Sequence, residues 1–249
     1  MQTEQSVNDN QQTTLHLGVV IPLANEEATV DKFLQEILVH LGPDDRIFCV
    51  LDNVSKDRTR EMVQKAGRLD GRICEVWAPE NRCVVDAYFR GYKSALDAGC
   101  MWILEMDGGY SHNPAEIPRF IKAMEQGVDF VAGSRFTAGG KYSGRRSRFL
   151  LSKIGSIVAN LALGTKMNDM TSGFECFSRK AMQYVVEQGV RSRAHFFQTE
   201  IRFMLRSWNW VEVPITYSNP SQSVGSGAIT ESLQTLWILA RQARGGKKK

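Results

Sequence analysis

The sequence predicts an α/β fold, a mainly parallel central sheet with helices on both faces. Three observations carry that prediction. Strand-length runs of apolar and β-branched residues alternate with segments whose apolar residues recur at helical spacing. The connections between them are short, as in repeated β-α-β units. Polar residues collect at the carboxyl ends of the runs, where open parallel sheets bind their ligands. A chain of 249 residues with 43% hydrophobic content can bury a sizeable core.

Taken in order, residues 15–22 (LHLGVVIP) read as a buried parallel strand. Asn25 is placed to cap a helix in which Val30, Phe33, Leu34, Ile37 and Leu38 share a face. Residues 46–51 form a second strand ending at Asp52, and 56–66 a polar-faced helix. A short strand at 73–77 and a helix at 84–98 follow. A strand at 101–106 ends at Asp107, a helix at 115–126 follows Asn113-Pro114, and 129–132 is another strand. Beyond residue 140 the pattern loosens. A basic Gly/Ser loop leads to a helix at 149–163, a strand or turn at 169–178, helices at 179–187 and 195–206, and a strand at 211–217. Residues 219–227 read as a flexible loop and 228–244 as a terminal helix.

Composition excludes several classes. No apolar run approaches the ~18 residues of a membrane-spanning helix. The polar N-terminal stretch lacks a basic-then-apolar pattern, so secretion is not expected. The five cysteines, an odd count, lack zinc-finger or redox spacing, so a reducing cytoplasm is expected. The net charge of +4 is unevenly spread, with a basic tail at 241–249. Between residues 130 and 168 lie Arg135, Lys141, Arg145, Arg146, Arg148, Lys153 and Lys166, with no acid among them. Arginines interleaved with Gly and Ser suit a loop that closes on phosphate. No aromatic stacking motif accompanies the charge, so no nucleic-acid partner is expected.

The strand ends carry the chemistry. Asn25, Glu26, Asp52, Asn81, Asp107 and Arg135 come from separate strands and should converge on one crevice. No GxGxxG follows the first strand and no GxxxxGK[ST] occurs, which removes the dinucleotide and P-loop readings. An acid at a strand end can hold a base, a ribose or a divalent cation; it can equally cap the next helix. Both alternatives stand for Asp52 and Asp107.

The motifs IPLANEE (21–27), LDNVSKDRT (51–59), EMDGGYSHNP (105–114), GSRF (133–136), the segment from Arg148 to Ser152, NDMTSGFECFSR (168–179), FFQTE (196–200) and EVPI (212–215) follow one another in family order. In that order and spacing the chain resembles family 2 glycosyltransferases, and is most similar to the dolichyl- or polyprenyl-phosphate mannose (or glucose) synthase branch. The resemblance covers residues 15–240. It implies a GT-A (Rossmann-like) fold and inverting transfer from a nucleotide-diphosphate sugar, GDP- or UDP-linked, to an acceptor such as a lipid phosphate. It also implies site roles. Pro22, Ala24, Asn25, Glu26, Asp52, Asn81 and Arg135 belong to the donor side. Asp107 holds Mg²⁺ or Mn²⁺ on the diphosphate. Arg148, Arg145, Arg146, Ser152 and Ser172 lie toward the phosphates, and Asp169, Gln198 and Glu200 line the acceptor side.

This chain departs from the family pattern at the chemistry. The second metal-site acid is Gly109, and the oxygen ligand two residues further on is Ser111. One carboxylate in place of two weakens the hold on a hard cation. Glu105 and His112 are the neighbours available to compensate. The second strand's acid pair becomes Asp52-Asn53 followed by Val54, the glycine-rich turn becomes Cys83-Val84-Val85-Asp86, and an Arg and a Lys of the acceptor loop become Pro220 and Ser226. An active transferase and a weak or inactive nucleotide-sugar-binding homologue are both compatible with these changes.

The expected organisation is a disordered segment at 1–14, one GT-A-like domain at 15–227, and a helix with a basic tail at 228–249. Leu233, Leu236, Trp237 and Ala240 share a face of that helix. The helix could lie on an anionic membrane or pack on the domain. No coiled-coil heptad indicates an assembly state. The expected location is cytoplasmic, with peripheral membrane contact.

Overall fold

The computed structural model describes residues 16–218 and 226–245. Nine strands are present among them: β1 (Leu17–Pro22), β2 (Arg46–Leu51), β3 (Ile73–Trp77), β4 (Trp102–Glu105), β5 (Phe130–Ser134), β6 (Lys141–Tyr142), β7 (Glu175–Ser178), β8 (Trp210–Pro214) and β9 (Thr216–Tyr217). The helices are α1 (Val30–Leu38), α2 (Thr59–Leu69), α3 (Val84–Asp97), α4 (Ile117–Met124), α5 (Arg146–Leu163), α6 (Arg179–Gln188), α7 (Phe197–Met204) and α8 (Ser226–Gly245). Seven strands form one sheet in the order β3-β2-β1-β4-β7-β5-β8. β7 pairs antiparallel with both neighbours, and the other pairings within the sheet are parallel. The strand order reverses beside β1, so a crevice opens between the carboxyl ends of β1, β2 and β4.

Alternation along the strands builds two cores. Leu17, Val19 and Ile21 face α1, α2 and α4, while Val20, Phe48 and Val50 face α3 and the helices of the second half. The buried parallel strands are therefore apolar on both faces. α3 lies so close to β1 that a Cβ on Gly91 would sit 2.2 Å from the Val20 side chain.

The expected elements are present, with shifts that have local causes. Asn25 does not cap α1. It sits at φ 59°, its side chain bonds Val54 O and Lys56 N, and Thr29 occupies the N-cap. α2 starts three residues later than expected, because Ser55, Asp57 and Thr59 are bonded into the loop before it. The expected strand at 211–217 is two strands, interrupted between Pro214 and Thr216. β9 leaves the main sheet to pair with β6, a two-residue strand inside the basic loop that carries no strand signal of its own. The expected disordered segment 1–14 lies outside the described residues, as does 219–225 of the expected loop. Ser226 and Gly227 open α8.

Beneath the sheet's centre lies a buried charge cluster. Glu105 of β4 stands directly opposite Glu175 of antiparallel β7. Arg202 of α7, fully buried, donates from Nε to Glu175 and from Nη2 to Ser172 O at 2.9 Å. Tyr92 and Gln198 bond Glu105, the latter at 3.1 Å. One guanidinium can neutralise one carboxylate. Burial, and then the adjacent Glu175, push the Glu105 carboxyl well above its ordinary range, so Glu105 holds its proton and Arg202 pairs with Glu175.

Two substitutions test this division of charge. Arg202→Met leaves Glu175 buried without a counter-ion and is expected to cost about 3–5 kcal/mol in urea unfolding at neutral pH. Glu105→Gln can still accept from Gln198, can donate its amide N–H to the Tyr92 oxygen, and removes a proton-linked penalty. The folded state keeps the Glu105 proton while the unfolded chain loses it above its ordinary value of 4.5, so wild-type stability declines as pH rises past that value. The variant's advantage should be absent below that pH and grow toward neutrality. An advantage that does not change between pH 4 and pH 8 would overturn the assignment.

Candidate active site

Two loops at the carboxyl edge of the sheet are stitched together by their backbones. Glu26 N donates to Thr59 Oγ1 at 2.7 Å, and Glu27 N to Asp57 Oδ2 at 2.9 Å. Asn25 closes the other side on residues 54–56, with its N–H on Ser55 Oγ at 3.1 Å. Desolvation would push the Asp57 carboxyl up, but hydrogen bonds from Thr59, Glu27 and Ser55 outweigh it and hold it at about 2. Asp57 therefore stays an anion that accepts four bonds across the two loops.

These loops frame a cleft of about 290 Å³. Pro22, Ala24, Glu26, Asp52, Tyr88 and Asp107 are in its wall, with Val54 and Cys83 at its sides. Five of the residues expected on the donor and metal side thus meet in one place, and Tyr88 joins them. Asp52 Oδ1 accepts from Val54 N at 2.9 Å, so Asp52 also shapes its own turn. Asp52 does not cap the next helix, whose N-cap is Arg58, and its carboxylate lies in the wall of the cleft.

Asp107 is held from two sides. Tyr88, buried on α3, donates its hydroxyl to Asp107 Oδ1 at 2.5 Å. Burial and then the Asp107 charge push the Tyr88 phenol well up, so it remains a donor. His112 Nδ1 accepts the Asp107 backbone N–H at 2.9 Å. Burial lowers the basicity of the ring and keeps it neutral, so its proton is on Nε2. That Nε2–H is buried without a hydrogen-bond partner and lies 3.8 Å from Asp107 Oδ2. A protonated Nε2 cannot ligate a metal, which removes His112 from the ligand set. Its ring stacks on Phe174 with centroids 4.8 Å apart.

Gly109 follows in the left-handed region at φ 65°. A Cβ placed on it would meet Glu26 Oε1 at 2.6 Å. Asp107 and Glu26 are the carboxylates on this side of the cleft, and no group of three or more His, Cys, Asp or Glu forms a metal cluster among the described residues. One or two carboxylates fit a hard divalent cation whose other ligands are diphosphate oxygens and water.

A second group of residues lies at the end of β5. Arg135 pairs with Asp169, Nε to Oδ2 at 2.7 Å and Nη2 to Oδ1 at 2.9 Å, both side chains buried. Burial would push the Asp169 carboxyl up, but Arg135 outweighs it and keeps it below the usual range. Arg145 is the N-cap of α5, and Arg146 and Arg148 lie in its first turn. Arg145 and Arg146 are exposed, while Arg148 and Ser152 are half-buried. Tyr142 of β6 stacks on Tyr217 of β9, with ring centroids 6.0 Å apart, and Phe149 of α5 packs on Tyr142. Tyr217 also bridges to His112 through the backbone and to Ser111 through its hydroxyl.

Several expected site residues are elsewhere. Glu105 is fully buried in the charge cluster beneath the sheet and cannot reach a cation in the cleft. Gln198 is spent on Glu105. Glu200 accepts from Arg191 N and Ser192 N at 2.9 and 3.1 Å and lines a separate cavity of about 390 Å³ between α6, α7 and α8. Ser172 is buried, its carbonyl on Arg202. Asn25 and Asn81 lie outside the wall of the cleft. Sequence reasoning missed Tyr88 and Asp57. Tyr88 sits in the apolar stripe of α3, where an aromatic residue reads as core, and Asp57 reads as a solvated charge ahead of a helix.

Comparison with known proteins agrees with this architecture. Residues 18–185 match the family model for glycosyl transferase family 2. The chain is 28% identical to polyprenol monophosphomannose synthase of Mycolicibacterium smegmatis, over 80% of this chain and 76% of the relative. It is 26% identical to undecaprenyl-phosphate mannosyltransferase of Micrococcus luteus, over 91% of this chain and 95% of the relative. The crystal structure of glucosyl-3-phosphoglycerate synthase from Mycobacterium tuberculosis with Mn²⁺, UDP-glucose and phosphoglyceric acid superposes with a TM-score of 0.64. It is 17% identical and covers 92% of this chain and 79% of that one, a likeness of fold. By the family match and by the arrangement of its sheet and cleft, the chain belongs to glycosyl transferase family 2 and is a glycosyltransferase of GT-A fold.

Proposed function

We propose that this enzyme transfers a sugar from a nucleotide-diphosphate sugar to the phosphate of a polyprenyl-type lipid at a membrane surface. The observation that carries the reading is a pair of unlike surfaces, linked through the ring contacts of Phe149, Tyr142, Tyr217 and His112. The carboxylate-lined cleft at the edge of β1, β2 and β4 is one. The arginine-headed, apolar-faced helix α5 is the other. The similarity to two proteins named for transfer to polyprenol and undecaprenyl phosphate supports the same substrate class.

The donor's nucleoside would sit against Pro22, Ala24 and Asp52, and its diphosphate toward Asp107. A divalent cation, Mg²⁺ or Mn²⁺, bound at Asp107 would balance the charge that develops on the departing diphosphate. Tyr88 keeps one Asp107 oxygen fixed, and His112 fixes the backbone that presents it. An oxygen of the acceptor phosphate attacks the anomeric carbon. The bond from that carbon to the diphosphate oxygen breaks, and its electron pair leaves with the nucleoside diphosphate. Attack opposite the leaving group inverts the anomeric centre. The acceptor is already an anion, so positioning matters more than a strong base.

α5 is built for such an acceptor. Its first turn holds arginines and no acid. Cations at a helix N-terminus oppose the macrodipole by ~0.3–1 kcal/mol each, and an anion bound there reverses that cost. Leu150, Leu151, Ile154, Ile157, Val158 and Leu161 form an exposed stripe along the same helix. α8 packs on α5. Its apolar residues divide, Leu236 and Leu239 turning inward while Leu233 and Trp237 stay exposed. The helix thus packs on the domain, and the exposure of Leu233 and Trp237 supports membrane contact beside it. A cavity of about 370 Å³ beside the stripe has Lys153 and Lys166 in its wall, which suits anionic headgroups. No helix among the described residues is long and apolar enough to cross a bilayer.

Gly109 favours a second reading, a homologue that binds nucleotide sugar with little turnover. Calorimetric titration with GDP-mannose, UDP-glucose, GDP and UDP, with Mn²⁺ and with chelator, decides the first step. One nucleotide class should bind at micromolar level, about −8 kcal/mol. Asp107→Asn should abolish the Mn²⁺-dependent part, and Tyr88→Phe should weaken it by about 1.5–3 kcal/mol, the worth of a hydrogen bond to a charged group. Binding without transfer to polyprenyl phosphate would select the second reading. No binding in any arm would remove both.

The membrane face has its own test. Leu151→Asp with Ile157→Asp changes two residues that are 57% and 52% exposed, so folding should be little affected. Each side chain is worth about 1.5–3 kcal/mol when fully buried. Sedimentation with phosphatidylglycerol vesicles should therefore weaken by more than about tenfold, while nucleotide affinity stays unchanged. Equal vesicle binding by variant and wild type would place the lipid surface elsewhere.

A further inference from the structure

The loss of the second acid at Gly109 is matched by a carboxylate that fills its place. The Cβ that an acid at 109 would need falls 2.6 Å from Glu26 Oε1 and 3.2 Å from both Glu26 Cδ and Oε2. That is closer than real Cβ atoms approach an oxygen, so the Glu26 carboxyl group occupies the volume from which an aspartate at 109 would project. Glu26 is not there by chance of a loose rotamer. Its Oε2 accepts from Thr29 Oγ1 at 2.7 Å, and its backbone N–H is tied to Thr59. The glycine contributes the other half of the fit, because the left-handed backbone at φ 65° turns the chain without a side chain to collide.

Around this pair the pocket is prepared for a charge it does not itself supply. Asp107 and Glu26 line the same cleft from neighbouring loops. The buried His112 Nε2–H, without a hydrogen-bond partner, lies 3.8 Å from Asp107 Oδ2. Tyr88 donates to the other Asp107 oxygen. The Tyr88 hydroxyl fixes one oxygen of that carboxylate, and the backbone N–H of Asp107 is fixed on His112 Nδ1. A second carboxylate in front, held by Thr29, leaves the pair with excess negative charge facing the cleft.

We infer that Glu26 supplies the second carboxylate of a divalent-cation site with Asp107, in place of the acid that Gly109 lacks. The inference rests on the proposed nucleotide-diphosphate donor, because Mg²⁺ or Mn²⁺ held by one or two carboxylates takes its remaining ligands from phosphate oxygens and water. Gly109 and Glu26 are then one arrangement: the glycine makes room for the carboxylate that replaces its missing side chain.

The test reads the ion rather than turnover. Mn²⁺ uptake is followed by loss of the free-ion electron paramagnetic resonance signal, with GDP or UDP present, in wild type, Glu26→Gln, Asp107→Asn, Gly109→Asp and the double variant Glu26→Ala/Gly109→Asp. Nucleotide affinity is measured in parallel with chelator. Glu26→Gln is expected to weaken Mn²⁺ binding at least tenfold. Gly109→Asp should also lose Mn²⁺, since its side chain collides with Glu26, and the double variant, in which the truncated residue 26 frees that volume, should regain most of it. Thr29→Val, which releases the carboxylate without changing its charge, should show a smaller loss in the same direction and serves if Glu26→Gln fails to fold. Wild-type Mn²⁺ uptake by both Glu26→Gln and Thr29→Val, with loss in Asp107→Asn, overturns the inference alone. Wild type that takes up no Mn²⁺ with either nucleotide overturns it together with the cation reading beneath it.

Discussion

The buried pair between Arg135 and Asp169 is the contact on which the second half of the molecule depends. Arg135 directly follows β5 at the carboxyl edge of the sheet, and Asp169 lies in the segment between α5 and β7. Joined there, that segment must enter the sheet from the carboxyl edge, which is why β7 runs against its neighbours. The chain between the two residues is held over the same edge as a loop, β6 and α5. Both partners are almost wholly buried, so removing either would leave a charge without compensation. The pair therefore sets where the arginines of α5 stand relative to the cleft, although its own charges are already spent on each other.

The opposing strand β7 creates a second constraint. By running antiparallel it sets Glu175 opposite Glu105, two acids in the middle of a sheet. Like charges there are destabilising, and the cluster is tolerable because Arg202 neutralises one and the other keeps its proton. Gly173 borders this cluster so closely that a Cβ would meet Gln198 Nε2 at 2.0 Å. Glu105, expected as a neighbour able to compensate at the metal site, and Gln198, expected on the acceptor side, are in this sense the floor under the site. The same holds for Glu200, which fastens the turn at Arg191 and Ser192.

The sheet was legible because parallel strands buried on both faces leave a long apolar signature, and β2 and β3 have the bounds that their residues predict. Asp52 and Asp107 were legible as acids closing such runs. What sequence could not show is how loops bond across the carboxyl edge. The start of α2 and the true cap of α1 both depend on Asn25, Asp57 and Thr59 reaching from one loop to another, some 30 residues apart in sequence. β6 and β9 depend on a pairing of two residues each, too short to mark itself. Tyr88 was hidden for a different reason: a buried tyrosine in an amphipathic helix has the pattern of core, and the acid that takes its hydroxyl lies 19 residues away. Glu26 read as a donor-side residue, and its relation to Gly109 required the backbone at φ 65°.

Charge divides the site into two unlike halves under the proposed function. The cleft presents Asp52, Glu26 and Asp107, all carboxylates, and a bare diphosphate would be repelled by them. The head of α5 presents arginines with no acid in the turn. A donor diphosphate can enter the first half only in company with a cation that reverses the sign of the field there. An acceptor phosphate meets the second half with its charge already matched. The two substrates are both anions, and what keeps each from the other's place is the sign of the protein around it. Selectivity between them therefore needs no shape complementarity to the sugar or the lipid at this level. It follows from which of the two phosphates carries its own counter-ion.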